Sequence, residues 1–94
     1  MIIWQPLAKQ DLESISRYIS VDNPSAAVSV VSKIIHLTID QLSAFPDSGK
    51  IGRASNTREL IISKTPYIVV YRIKNERIDI LAIQHTSRKW KERF

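Results

Sequence analysis

The side chains able to do chemistry in this 94-residue chain are of few kinds. It has no cysteine and only two histidines, His36 and His85. Thiolate nucleophiles and disulfides are therefore absent, and without clustered carboxylates neither a metal nor a cofactor is expected. Proton transfer and charge stabilisation would fall to histidine, arginine, lysine, tyrosine and the acids. His85 follows the last strand-like run, and an imidazole with an ordinary pKa of about 6.5 could act there as a general base or acid. The competing and more ordinary role is a hydrogen bond that closes the sheet end. His36 stands between Ile35 and Leu37 in a helical pattern and reads as an exposed or partly covered residue.

The cations are more informative than the histidines. The formal net charge is +5, and it is unevenly divided. Up to Gly49 there are three basic and five acidic side chains, a net of −2; after it there are eleven basic and four acidic, a net of +7. A one-signed patch attracts counter-charge over a Debye length, roughly 8 Å in physiological salt, so a polyanion or an acidic protein is the expected partner. A sheet edge protected by lysines is the alternative.

Three groups of residues could make that contact. Lys50 and Arg53 project from a polar segment, 46–57, that has neither helical nor strand period and contains both glycines. Arg58 opens the next strand beside Glu59. Its guanidinium could present two parallel donors to a phosphate or carboxylate, or pair with an acid of its own chain. Arg88, Lys89, Trp90, Lys91 and Arg93 combine cations with an aromatic ring, which suits gripping phosphates and stacking a base, or binding an acidic surface. Trp90 and Phe94 could instead only cap the core. Tyr67 and Tyr71 share one face of a strand by two-residue periodicity and read as packing residues.

The elements that must hold these residues follow from the apolar pattern. Residues 1–5 form a short strand closed by Pro6, whose ring suits a first helical turn. Ala8, Leu12, Ile15 and Ile19 then recur at helical spacing with the charges opposite. Asn23-Pro24 stops that helix and starts another, Asn23 as N-cap and Pro24 at the first helical position. The second helix runs to about Phe45 before Pro46 and has two apolar stripes, Val28/Val31/Ile35/Ile39/Leu42 and Ala27/Val30/Ile34/Leu37. The first reads as core; the second as core or as a partner-binding face. Strands are expected over 58–64, 67–73 and 78–84, joined by short turns into antiparallel hairpins, with 67–73 central because it is apolar on both faces except for Arg72. The fold class is α+β: an N-terminal strand and a two-helix hairpin packed on a small antiparallel sheet. A single domain over 1–94 is expected from the length. With no apolar run near 20 residues and no signal peptide, a cytoplasmic protein without membrane contact is expected.

On this frame Trp4-x3-Ala8-x2-Asp11-Leu12-x2-Ile15-x2-Tyr18-Ile19, Asn23-Pro24-x-Ala26-Ala27, Phe45-Pro46, Gly49 and Gly52, Thr57-Arg58-Glu59-Leu60, Pro66-Tyr67-Ile68-Val69-Val70-Tyr71-Arg72 and His85-x2-Arg88-x-Trp90 stand in order. Together they resemble the RelE/ParE toxin family over nearly the whole chain. The resemblance implies a bacterial type II toxin–antitoxin pair in which a cognate antitoxin wraps the toxin. One branch of the family, RelE-like, cleaves messenger RNA on the ribosome; the other, ParE-like, inhibits DNA gyrase and serves plasmid stabilisation.

Residue chemistry favours the second branch. RelE-like ribonucleases are expected to carry an arginine after the first tyrosine of the Tyr67–Tyr71 segment and lysines on the preceding strand. Ile68, Glu59 and Ile61 occupy those places here. Isoleucine stabilises no anion, and a glutamate at 4 Å opposes a phosphate by about 1 kcal/mol even in bulk water. A ParE-like gyrase inhibitor that does no chemistry of its own is therefore the favoured reading, with Lys50, Arg53, Arg58 and the basic tail meeting target or antitoxin. The alternative is an mRNA endoribonuclease using Arg58, His85 and Arg88. A non-toxic module that binds nucleic acid or protein is the third.

Overall fold

Two prolines set where the helices begin in the computed structural model, which describes residues 1–87. Pro6 opens α1 (Pro6–Ser20) and Pro24 opens α2 (Pro24–Ala44). Each occupies a position whose N–H would have no intrahelical partner, so its missing donor costs nothing there. Asn23 caps α2 by accepting the Ala26 N–H at 3.1 Å. The N–H groups of Asp22 and Asn23 close back on the Ile19 carbonyl at 3.2 and 3.0 Å, which makes the turn between the helices tight. α1 buries Ala8 and Ile15 and packs Leu12 and Ile19 beside them, the face its spacing predicts.

The second helix departs from expectation. Its buried residues are Ala27, Ile34, Thr38 and Leu42, while Val28 is 71% exposed and Ile39 is also exposed. The core seam therefore follows Ala27/Val30/Val31/Ile34/Thr38/Leu42, between the two apolar stripes. Thr38 belongs to it despite its hydroxyl, which has no hydrogen-bond partner among the described residues. Apolarity wide enough to supply two stripes does not reveal their centre line; the sheet and α1 choose it.

Five strands make one sheet in the order β1-β5-β4-β3-β2: β1 (Ile2–Trp4), β2 (Lys50–Ile51), β3 (Arg58–Ile61), β4 (Tyr67–Lys74) and β5 (Arg77–His85). The sheet is mixed rather than purely antiparallel, because β1 lies parallel to β5 at the edge. The chain leaves β1 through both helices before it returns, the long crossover a parallel neighbour requires. The segment 46–57 is likewise not all loop. Lys50 and Ile51 pair with Glu59 and Arg58, and a two-residue strand is too short for a periodicity test to detect.

β4 is the middle strand, and Tyr67 to Tyr71 are all buried. Tyr67, Val69 and Tyr71 face the helices with Ile62, Ile78, Ile80 and Ile83. The opposite face carries Val70, Leu81 and Ala82, with Leu7 packed on them. A register shift between Val70 and Tyr71 leaves Leu81 as an extra residue in β5, so residues 78–80 and 82–84 alternate out of phase. Where β1 stops, α1 takes over the edge of β5: the Asp11 carboxylate accepts the Ile83 N–H at 2.9 Å.

The β4–β5 hairpin turns on Asn75 and Glu76, with φ of 50° and 65° between paired Lys74 and Arg77. Two left-handed residues are the geometry of a type I′ turn, which favours Asn-Gly, and a glutamate there is strained. Glu76→Gly is expected to raise unfolding stability by roughly 0.5–1 kcal/mol, read as a higher urea midpoint. A lower midpoint would mean that the glutamate makes contacts worth more than the strain it bears. Among the described residues, no helix is long and apolar enough to cross a membrane.

Candidate functional site

The sequence-selected cations divide between the two faces of the sheet. Arg58 pairs with Tyr71 and shares its face, the helix side. The Tyr71 hydroxyl donates to the Pro46 carbonyl at 2.8 Å and accepts the Gly49 N–H at 2.9 Å. Arg58 Nη1 donates to the carbonyls of Asp47 and Gly49, at 3.2 and 2.8 Å. One phenol and one guanidinium thus hold the turn that leads from α2 into β2. Gly49 is buried against them, and a Cβ there would lie 2.6 Å from Tyr71 Cε1.

Burial pushes the Tyr71 pKa above its ordinary value; the Gly49 N–H and the Arg58 charge pull it down, while Asp47 adds to the rise. Because the folded state holds this proton more tightly than the unfolded chain, the contribution to stability is complete below the unfolded value of 10.0 and is lost as pH rises toward the folded one. Wild type is therefore expected to lose stability above that pH more steeply than Tyr71→Phe, in urea midpoints measured across the alkaline range. Parallel curves for the two proteins would remove Tyr71 as the cause.

Glu59 points to the other face. It is 3% exposed and its Oε2 accepts the Arg53 N–H at 2.8 Å. Lys50 Nζ lies 3.8 Å from Oε1 and Arg53 Nε 3.8 Å from Oε2. A carboxylate this buried needs paired charge, and both cations are half-exposed, so they screen it while keeping their outer sides in water. Lys50 and Arg53 therefore do not project as independent charges: each faces Glu59 on one side.

His85 ends β5 opposite Tyr67, their rings edge to face with centroids 5.4 Å apart. Its Nδ1 accepts the Ser87 N–H at 3.1 Å, and Ser87 Oγ is 2.9 Å away. Arg58 and His85 are not brought together. Their partners on β4 are four residues apart, about 13 Å along the strand, and β3 and β5 flank β4 at about 10 Å from each other. Ile68, in the place where a ribonuclease-like arginine is expected, is buried between Ile61 and Gln84. His36 is exposed on α2, with Ser32 Oγ 3.3 Å from its Nδ1. Arg88, Lys89, Trp90, Lys91 and Arg93 lie outside the described residues.

Two further cations, to which no sequence pattern assigns a role, join Arg58. Arg72 and Lys74, with Ile51, Asn56, Thr57 and Ile73, line an open cleft of about 690 Å³ around it. The available signals were the two-residue spacing of Arg72 and Lys74 and the length of β4. Arg72 Nε donates to the Asn56 carbonyl at 3.3 Å. Asp79, across from Arg72 on β5, is already held by Gln5 Nε2 at 3.1 Å and Arg77 Nε at 3.0 Å.

Comparison with known proteins gives the family and agrees with the fold. Residues 2–90 match the family described as ParE toxin of type II toxin-antitoxin system, parDE. Y4kP of Sinorhizobium fredii, classed as a toxin, is 39% identical over 95% of this chain and 91% of its own length. Toxin RelE2 of Caulobacter vibrioides is 29% identical over 93% of this chain and 96% of its own. Among solved structures, a chain of the chromosomal ParDE toxin–antitoxin system from P. aeruginosa superposes with a TM-score of 0.79 at 25% identity. The match covers 92% of this chain and 95% of that one.

Proposed function

Since this chain belongs to the ParE toxin family of type II toxin–antitoxin systems, we propose that it arrests growth by binding DNA gyrase and that its cognate antitoxin prevents this. The observation that carries the choice of target is the separation of Arg58 from His85, on different strands and opposite residues of β4 that are four positions apart. Phosphodiester cleavage needs a proton acceptor, a proton donor and a cation around one phosphate, within about 3 Å of the atoms they serve. Arg58 spends Nη1 on the turn before β2, and His85 Nδ1 is occupied by Ser87. Glu59, in the place where a ribonuclease-like lysine is expected, is a buried acid that draws Lys50 and Arg53 to itself.

Binding asks less of the fold than catalysis does, since it needs surface charge rather than converging groups. Lys50, Arg53 and Arg58, together with Arg88, Lys89, Trp90, Lys91 and Arg93, supply that charge and contact gyrase or the antitoxin. The protein acts in the bacterial cytoplasm and serves to stabilise the plasmid that carries the pair.

The experiment is to add antitoxin-free protein to gyrase supercoiling of relaxed plasmid and, in parallel, to translation of a messenger RNA on ribosomes. Lost supercoiling or accumulated cleaved DNA, with intact RNA, is the expected result. Cut RNA with normal supercoiling would overturn it in favour of the RelE-like ribonuclease. Expression without growth arrest would count against toxicity of either kind.

A further inference from the structure

β3 begins at Arg58, opposite Tyr71, whereas β4 continues to Lys74 and so leaves a notch beside its last three residues. The direction of the free backbone groups follows from the neighbouring pairs. The Ile78 N–H donates to Met1 and the Ile80 carbonyl accepts from Gln5, so both residues face β1. Asp79 and Arg77 therefore turn to β4, where they pair with Arg72 and Lys74. By the alternation of an antiparallel ladder, the N–H and C=O of Ile73 point away from β5 and into the notch.

Three cations line the cleft into which that N–H points, Arg58, Arg72 and Lys74, with no acid among the described lining residues. Two are oriented in advance by the chain. Arg58 has Nη1 fixed on two carbonyls and Arg72 has Nε fixed on a third, while the other donors of both guanidiniums have no partner among the described residues. Asp79, the nearest candidate to neutralise Arg72, is engaged by Gln5 and Arg77. Like charges gathered at a half-open site repel one another and favour an anion that separates them. Ile51 and Ile73 flank the cleft and are 78% and 37% exposed. Ile73 also borders a groove of about 630 Å³ whose lining is mostly apolar, Met1, Ile39, Leu42 and Pro46 among it, with Ser43 and Glu76 as its polar members.

We propose that this notch seats a carboxylate carried on an apolar-flanked segment of the antitoxin, held between Arg58 and Arg72 with Lys74 and the Ile73 N–H completing the site. The apolar flanks favour a peptide carboxylate over a nucleic-acid phosphate, whose neighbours are sugars and further charge. The inference rests on the toxin–antitoxin reading and adds to it the place and chemistry of one contact.

Arg58 also supports the fold, so the test uses Arg72 and Lys74. The purified toxin and the antitoxin encoded with it are titrated by calorimetry for wild type, Arg72→Gln/Lys74→Gln, Lys74→Gln alone, and the charge-matched control Lys9→Gln/Lys33→Gln. The notch double variant is expected to bind roughly 10- to 100-fold more weakly and the control within about 3-fold of wild type. Lys74→Gln, at the exposed end of the strand, guards against misfolding and should lie between them. Hydrogen exchange of the Ile73 amide should slow on complex formation. Equal losses for the two double variants would overturn the site in favour of diffuse charge. Unchanged antitoxin affinity with lost binding to a DNA duplex would make it a phosphate site instead, and overturn the proposal. If wild type itself binds no antitoxin, the toxin–antitoxin reading fails and this inference with it.

Discussion

Gly49→Ala is expected to lower unfolding stability by about 3 kcal/mol, although it adds a single methyl group. The new Cβ would lie 2.6 Å from Tyr71 Cε1 and the hydroxyl oxygen, and 3.0 Å from the Glu59 carbonyl. Tyr71 has no room to yield, being fully buried in the middle strand with its hydroxyl committed to Pro46 and Gly49. If the turn moves instead, the Gly49 N–H loses its acceptor and Arg58 loses a carbonyl. Either response breaks bonds between the end of α2 and the sheet. Denaturant midpoints measure the loss, and a Tyr71→Ala background isolates its cause: with the ring gone, adding Gly49→Ala should cost less than about 1 kcal/mol. A single variant as stable as wild type would mean that the turn relaxes without loss.

Arg58→Ala is expected to cost about 2 kcal/mol, since it removes charge-assisted hydrogen bonds to the Asp47 and Gly49 carbonyls from a half-buried position. Arg58→Lys should recover little of this, because one ammonium lacks the planar fork that lets a guanidinium serve the turn with one nitrogen and present others outward. Growth arrest on expression without antitoxin should fall for both variants. Its loss in Arg58→Lys, which keeps the charge, would tie activity to the shape of the site. An alanine variant of unchanged stability would reduce Arg58 to a surface residue and leave the turn to Tyr71 alone.

Much of this molecule was legible residue by residue. Pro6 and Asn23-Pro24 mark helix starts because they act through the backbone of their own turn. The run from Tyr67 to Tyr71 declares a central strand because both alternating faces are apolar. Less legible were the features that depend on distant segments. The two stripes of α2 have comparable apolarity, and Thr38 enters the core only because α1 and the sheet meet there. Lys50 and Ile51 are a strand because β3 offers an edge, not through any pattern of their own.

The candidate site divides along the same line. By itself the sequence determined the inventory: no cysteine, a basic second half, and the ordered residues by which a toxin family could be recognised. Those are properties of residue type and local spacing. Only the tertiary structure decided which charges act together. It places Glu59 between Lys50 and Arg53, turns Arg58 to the turn before β2, sets His85 at the far end of the middle strand, and lets β4 outrun β3 so that Arg72 and Lys74 join Arg58. The physical reason is register: a slip of one residue between β3 and β4 would send Arg58 and Glu59 to each other's face and move the point at which β4 outruns β3, and register is set by pairing between strands, not by the residues of either strand alone.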